Sequence, residues 1–239
     1  MSRYCCIPLF DKPQSSGRFY PYVEGMVLMK SVLTDTERGR IDADVRALEE
    51  RHGLQLVVAV VQRSDSYEEL PWKACAFGVS TAAGLLMVML AGGGGFEPLA
   101  TIAILLASGA TAALLTVFWS ACARLFLSRY RAANEVHQYA QSMILENGIF
   151  ATPDHKALLL LVSLFEHQVV IMPDRGLVPY LSQEVLEGVI SAMEPHLKKG
   201  RIADALGMGL QQLEKPLSAV TPGAAGGDLL PNILEERGQ

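Results

Sequence analysis

The chain has 239 residues, a formal net charge of −5 and an apolar share of 50%, with a mean hydropathy of +0.26. That charge leaves no basic footprint for nucleic acid. The hydropathy is raised by one central stretch, and removing it leaves about one ordinary domain's worth of soluble chain. Four cysteines are too few and wrongly spaced for a disulfide framework or a CxxC metal site: Cys5 and Cys6 are adjacent, and Cys75 and Cys122 lie inside apolar runs.

In chain order, residues 1–30 form an irregular arm. Pro8, Pro13 and Pro21 with Gly17 interrupt any regular helix, and Met1 to Ser31 holds no continuous apolar core of a signal peptide. Residues 31–70 open a soluble domain. Thr34 with Glu37 three positions later is a capping box, Ile41, Val45 and Leu48 recur at helical spacing, and Gly53 closes the helix. The run LQLVVAVV at 54–61 predicts a strand buried on both faces.

Residues 72–127 are the exceptional stretch. No Asp, Glu, Lys or Arg lies between Lys73 and Glu97, nor between Glu97 and Arg124. At about 1.5 Å rise per residue, roughly 20 apolar residues cross a hydrocarbon core, and the runs 74–93 and 98–123 both reach that length. Gly94, Gly95, Phe96 and Glu97 leave room only for a tight connection, so the runs predict a two-helix transmembrane hairpin. Small residues such as Gly78, Ala82, Gly109 and Ala113 would let the helices approach closely. Arg63 and Lys73 precede the hairpin and Arg124, Arg129 and Arg131 follow it, whereas its turn carries only Glu97. The positive-inside rule then places both termini in the cytoplasm. No ionisable group lies within the runs, so ion transport is not expected.

Residues 128–215 resume the soluble domain. A helix over 128–147 has Val136, Ala140, Met143 and Ile144 on one stripe, and is expected to continue from the hairpin with a bend. ALLLLVSL at 157–164 and QVVIM at 168–172 predict two strands joined by a tight turn at Glu166 and His167. Two helices follow, one capped by Ser182 and one over 201–214. Residues 216–239, rich in Pro, Gly and Ala, are expected to be disordered. The fold class is an α/β (α+β) layered sandwich with a small mixed sheet, interrupted by the hairpin, in which 54–61 must pair with a strand beyond it.

The stretch Leu33-Thr34-Asp35-Thr36-Glu37-Arg38, the run LQLVVAVV, Trp72 before the hairpin, Thr152 before the second strand and Asp174-Arg175-Gly176 after the third resemble the TPM domain family, a phosphatase-like family, in its bacterial membrane branch with an inserted transmembrane hairpin. One departure is Asp154-His155-Lys156-Ala157, where the family often carries a glycine. The resemblance implies a two-pass protein of the bacterial inner membrane serving as an interaction, assembly or repair module for another membrane protein; the alternative it implies is a metal-dependent phosphatase-like hydrolase.

Among candidate site residues, Asp154 precedes the second strand and Asp174 follows the third, so an antiparallel pair would bring both to one sheet edge, suited to Ca²⁺ or Mg²⁺. Arg175 could instead neutralise Asp174, or Asp174 could accept backbone hydrogen bonds in a turn that Gly176 allows. Glu135 and His137 on the preceding helix are further candidates, while Glu166 falls at the opposite edge. No glycine-rich phosphate loop follows a strand, so no nucleotide is expected.

Overall fold

The computed structural model describes residues 32–95, 97–152, 154–220 and 230–236. The arm at 1–30, with Cys5 and Cys6, lies outside the described residues. Among the described residues, seven helices and four strands follow in the order α1 (Asp35–His52), β1 (Gln55–Val61), α2 (Glu69–Ala91), α3 (Pro98–Phe118), α4 (Ser120–Leu125), α5 (Arg129–Glu146), β2 (Ala157–Ser163), β3 (Gln168–Pro173), α6 (Gln183–Leu197), α7 (Ile202–Leu217) and β4 (Ile233–Glu236).

Local signals set most boundaries. Thr34 Oγ1 accepts from the Glu37 amide at 3.3 Å, and the Glu37 carboxylate accepts from the Thr34 amide at 2.9 Å, so the capping box at α1 is formed. The Thr34 backbone hydrogen bond, first, holds the Glu37 carboxyl below its ordinary value. Gly53 ends α1 in the left-handed region at φ 59°, where a glycine carries no Cβ penalty. Ser128 and Ser182 cap α5 and α6.

The sheet order is β3-β2-β1-β4. β1 runs parallel to β2, with Val58 opposite Leu160, although the apolar hairpin and α5 separate them in sequence. β2 and β3 are antiparallel, closing at Ser163 opposite Gln168. One face, with Leu56, Val58, Val60, Leu158, Leu160 and Val162, is covered by α1, α6 and α7 through Ile41, Val45, Met193, Leu206 and Leu210. The other face, with Val57, Ala59, Val61, Leu159 and Leu161, is covered by α5 through Val136, Ala140 and Met143. Both faces of β1 are therefore dry, and each fully buried valine contributes about 1.5–3 kcal/mol toward the pairing across the insertion.

α2 and α3 pack side by side. Gly78 sits so close to α3 that a Cβ there would be 2.7 Å from the Ser108 carbonyl oxygen and 2.9 Å from the Ala112 Cβ. Both helices are long and apolar enough to cross a membrane. Their outer sides present Leu85, Met87, Val88, Leu99, Leu106 and Val117 in exposed positions.

Three expectations are corrected. The second apolar helix does not run on into α5: Trp119 turns extended at φ −121° and ψ 106°, and the short α4 intervenes. The β2–β3 connection is four residues, 164–167, with His167 at φ 54°, because the closing pair is Ser163 and Gln168. The tail is not disordered throughout: Ile233–Glu236 adds β4 parallel to β1, satisfying the free edge that β1 would otherwise expose.

Candidate functional site

Polar side chains gather at the two ends of the dry sheet. At the end where β3 exits and β2 begins, the Asp174 amide donates to the Ala157 carbonyl at 2.8 Å. Asp174 is 7% exposed. Its Oδ1 accepts from the Arg175 amide at 2.6 Å, and its Oδ2 lies 3.2 Å from His155 Nδ1. The Arg175 guanidinium contacts His155 Nε2. Those contacts match the tautomer in which Nδ1 donates to Asp174 and Nε2 accepts from Arg175. Gly176 is required by close approach, since a Cβ would sit 2.5 Å from the His155 carbonyl oxygen and 3.1 Å from that of Asp154.

Asp154 and Asp174 thus share an edge, as antiparallel pairing requires. The Asp154 side chain is exposed, while Asp174 is engaged by Arg175 and His155. Arg175 reaches Asp174 through its amide, and its guanidinium goes to the imidazole instead. Among the described residues no group of three or more His, Cys, Asp or Glu is arranged to hold a metal ion. Glu135 does not approach this edge: it pairs with Arg131 at 3.4 Å, at the opposite end. His137 stays exposed on α5 with its Nε2 3.2 Å from Gln141. The direction in which α5 crosses the sheet carries Glu135 toward the base of the hairpin, where Arg131 also meets Glu69.

The second cluster lies at the carboxyl ends of β1 and β2, where the hairpin leaves the domain. Glu166, in the β2–β3 loop, is 7% exposed. It accepts from the Ser64 amide at 2.9 Å and from the Ser163 hydroxyl. The Ser64 hydroxyl donates to Ser163 Oγ at 3.2 Å. One carboxylate therefore joins the exit of β1 to the exit of β2. Tyr67 lies beside it, 2% exposed, with a left-handed φ of 48° that a bulky residue rarely adopts. Burial, and then the nearby Glu166 carboxylate, hold the Tyr67 phenol above its ordinary range, so it stays neutral.

Arg131 on α5 closes the cluster. Its guanidinium lies 2.7 Å from Glu69, and 3.4 Å from both Asp65 and Glu135. It also stands 5.9 Å from the centre of the Tyr67 ring. Arg63 stacks 4.2 Å above the Phe165 ring. Leu70, Ala123, Phe126 and Leu127 pack around Tyr67 and Phe165. Chemically this is a joint: Glu166 engages donors from the exits of β1 and β2, and Arg131 on α5 meets acids from α2 and the segment before it, while the buried Tyr67 hydroxyl has no hydrogen-bond partner among the described residues. Sequence reasoning placed Glu166 at this edge but missed its role, along with Ser64, Ser163, Tyr67 and Asp65. The legible signal was Ser163-Leu164-Phe165-Glu166, a hydroxyl and a carboxylate three apart at the end of a wholly apolar strand.

Residues 125–215 match the TPM domain (TPM_phosphatase). The match spans α5, β2, β3, α6 and nearly all of α7, so it holds Arg131, Glu166 and Asp174, whereas α1, β1, the apolar hairpin and β4 lie outside it. The NMR structure of the BA42 protein from the psychrophilic bacterium Bizionia argentinensis is similar in fold, with a TM-score of 0.50 and 14% identity, covering 87% of this chain and 97% of that one. No curated protein matches the sequence.

Proposed function

We propose that this chain is a two-pass protein of the bacterial inner membrane whose TPM domain, in the cytoplasm with both termini, is an interaction module for the assembly or repair of another membrane protein. The observation that carries the reading is the apolar hairpin: two membrane-length helices packed on each other, with apolar side chains facing outward all along them. In water those side chains would form an apolar surface far larger than a soluble monomer tolerates, and lipid removes that cost. Trp72 and Trp119, 76% and 64% exposed, stand at the domain-side ends of the two helices, as an interfacial aromatic belt requires. Lys73, Arg124, Arg129 and Arg131 lie on the same side, which supports the cytoplasmic assignment.

The interaction role is favoured because the buried carboxylates are engaged within the domain. Glu166 links two strand exits, and Asp174 holds Arg175 and His155. The second reading, a hydrolase using Asp154 and Asp174 with Ca²⁺ or Mg²⁺, draws on the family's name and on the shared sheet edge of the two acids. The donor set fits such an ion poorly, because both Asp174 oxygens already have partners. Calorimetric titration with Ca²⁺ and Mg²⁺ separates the readings: saturable binding abolished by Asp174→Asn supports the hydrolase.

Proximity labelling and mild-detergent co-purification from the native membrane test the proposal. The expected result is one membrane protein recovered reproducibly, with reporter fusions at Gly17 and Gly226 both active on the cytoplasmic side. Recovery of the chain in the soluble fraction, or a periplasmic signal from either fusion, refutes it.

A further inference from the structure

The outer edge of β1 is closed by the short strand β4. Its register places Ile233, Leu234, Glu235 and Glu236 opposite Val58, Ala59, Val60 and Val61. The Val58 amide donates to the Asn232 carbonyl at 2.9 Å and the Gln62 amide to the Glu236 carbonyl at 3.2 Å. One step earlier on the same edge, the Leu56 amide is capped by the Glu49 carboxylate at 2.7 Å. The edge is thus a row of donors that needs an extended segment only from Val58 onward.

The side chains around this edge select the segment. Asn232 Nδ2 donates to Asp42 Oδ1 at 2.7 Å, Arg38 meets Glu235 at 2.5 Å, and the Tyr139 hydroxyl donates to Glu236. Burial, followed by the Glu236 hydrogen bond, keeps the Tyr139 phenol above its ordinary range, so it remains a donor. The seat therefore reads an amide, two apolar residues and two adjacent carboxylates. The hold is light. Arg38 is half exposed, which weakens its ion pair with the more buried Glu235 through solvent screening. Asn232 Oδ1 is buried with no partner among the described residues. An open cleft of about 410 Å³, lined by Asp35, Arg38, Gly39, Asp42, Asn232 and Ile233, lies between α1 and β4.

We infer that the β1 edge is a strand-binding site for an extended segment of the pattern Asn-apolar-apolar-Glu-Glu, and that the chain's own β4 occupies it as a displaceable guard. Strand addition supplies main-chain hydrogen bonds for affinity and side-chain seats for selection. A short strand held this way opens locally at far less cost than unfolding the domain. A tethered strand competes at an effective concentration in the millimolar range, which a partner fixed in the same membrane can match. The inference rests on the interaction reading above only for where the competing segment comes from.

The test uses the full chain and a form ending at residue 229, both in detergent micelles, with a fluorescent peptide of residues 230–236, LPNILEE, as the probe. The shortened chain should bind the peptide saturably. The intact chain should bind at least tenfold more weakly, and replacing both peptide glutamates by glutamine should weaken binding to the shortened chain at least tenfold. No binding at millimolar peptide by a shortened chain with a native circular dichroism spectrum overturns the assignment. If the shortened chain does not fold, hydrogen exchange on the intact chain decides: the Val58 and Gln62 amides should exchange at least tenfold faster than amides bonded between β1 and β2, and equal protection overturns the guard. Peptide binding without any co-purifying membrane protein would refute the assembly reading and leave the strand site standing.

Discussion

The apolar hairpin can be tested by adding single methyl groups. At Gly78 a Cβ meets the Ser108 carbonyl oxygen at 2.7 Å and the Ala112 Cβ at 2.9 Å. Neither atom can swing away, because one is backbone and the other is bonded directly to it. At Gly109 the new Cβ meets Val79 Cγ2 at 2.7 Å and Cys75 Sγ at 3.0 Å, both side-chain atoms with some freedom. At Gly84 nothing lies within 4 Å. Overpacking costs about 1–3 kcal/mol, while alanine in place of a mid-helix glycine returns roughly 0.5–1 kcal/mol. Gly84→Ala should therefore be neutral or slightly stabilising. Gly78→Ala should lose about 1–2 kcal/mol net, and Gly109→Ala should fall between them. Steric trapping in bilayers, or the unfolding midpoint in mixed SDS micelles, reads the order. If Gly78→Ala is as stable as Gly84→Ala, the two helices do not pack as described, and the hairpin loses its geometric basis.

At the joint, Glu166→Ala leaves the Ser64 amide and Ser163 hydroxyl without their acceptor, each worth about 1–3 kcal/mol when buried; a fall of roughly 2–5 kcal/mol by denaturant titration is expected, and a change near zero would show that these donors find water. Arg131→Met should cost about 1–2 kcal/mol, discounted because the three ion pairs are partly exposed. Arg131→Lys should recover little of it, since one ammonium cannot span three carboxylates, and full recovery would refute the shared-fork geometry. Burial, and then Arg124, hold His167 below the ordinary histidine value of 6.5. The unfolded chain therefore binds the proton first as pH falls, so this contribution is complete above about pH 6.5 and is lost below it. The melting temperature should drop between pH 7.5 and 5.5, and His167→Asn, which tolerates the left-handed backbone at this position, should shrink the drop. An undiminished drop would assign it to other groups.

The sequence by itself determined the features encoded by near neighbours. Thr34 and Glu37 are three apart, so the cap of α1 forms from local geometry alone. The stripe of Val136, Ala140, Met143 and Ile144 fixes which face of α5 meets the sheet. Unbroken apolar runs announced β1, β2 and the hairpin, and the inability of β1 to bury both faces alone forced its pairing across the insertion. Asp154 and Asp174 were brought to one edge by the antiparallel hairpin, which two apolar runs and a short connection already implied.

Tertiary structure decided what depends on which elements become neighbours. β4 is four residues with two acids and has no strand signal of its own; it forms because β1 offers a free edge and because Arg38 and Tyr139, distant in sequence, stand beside it. Glu135 was a further candidate for the Asp174 edge, but α5 carries it to Arg131 and the hairpin base. The Glu166 joint joins residues about a hundred positions apart, Ser64 and Glu166, and closes only after β1 and β2 are side by side. The left-handed backbones at Tyr67, His155 and His167 likewise oppose local preference and persist because packing and hydrogen bonds around them outweigh the strain. Periodicity and capping act over one or two turns of chain and can be read there. A buried carboxylate's partners are set by the register of the sheet, which the strands establish only when they meet.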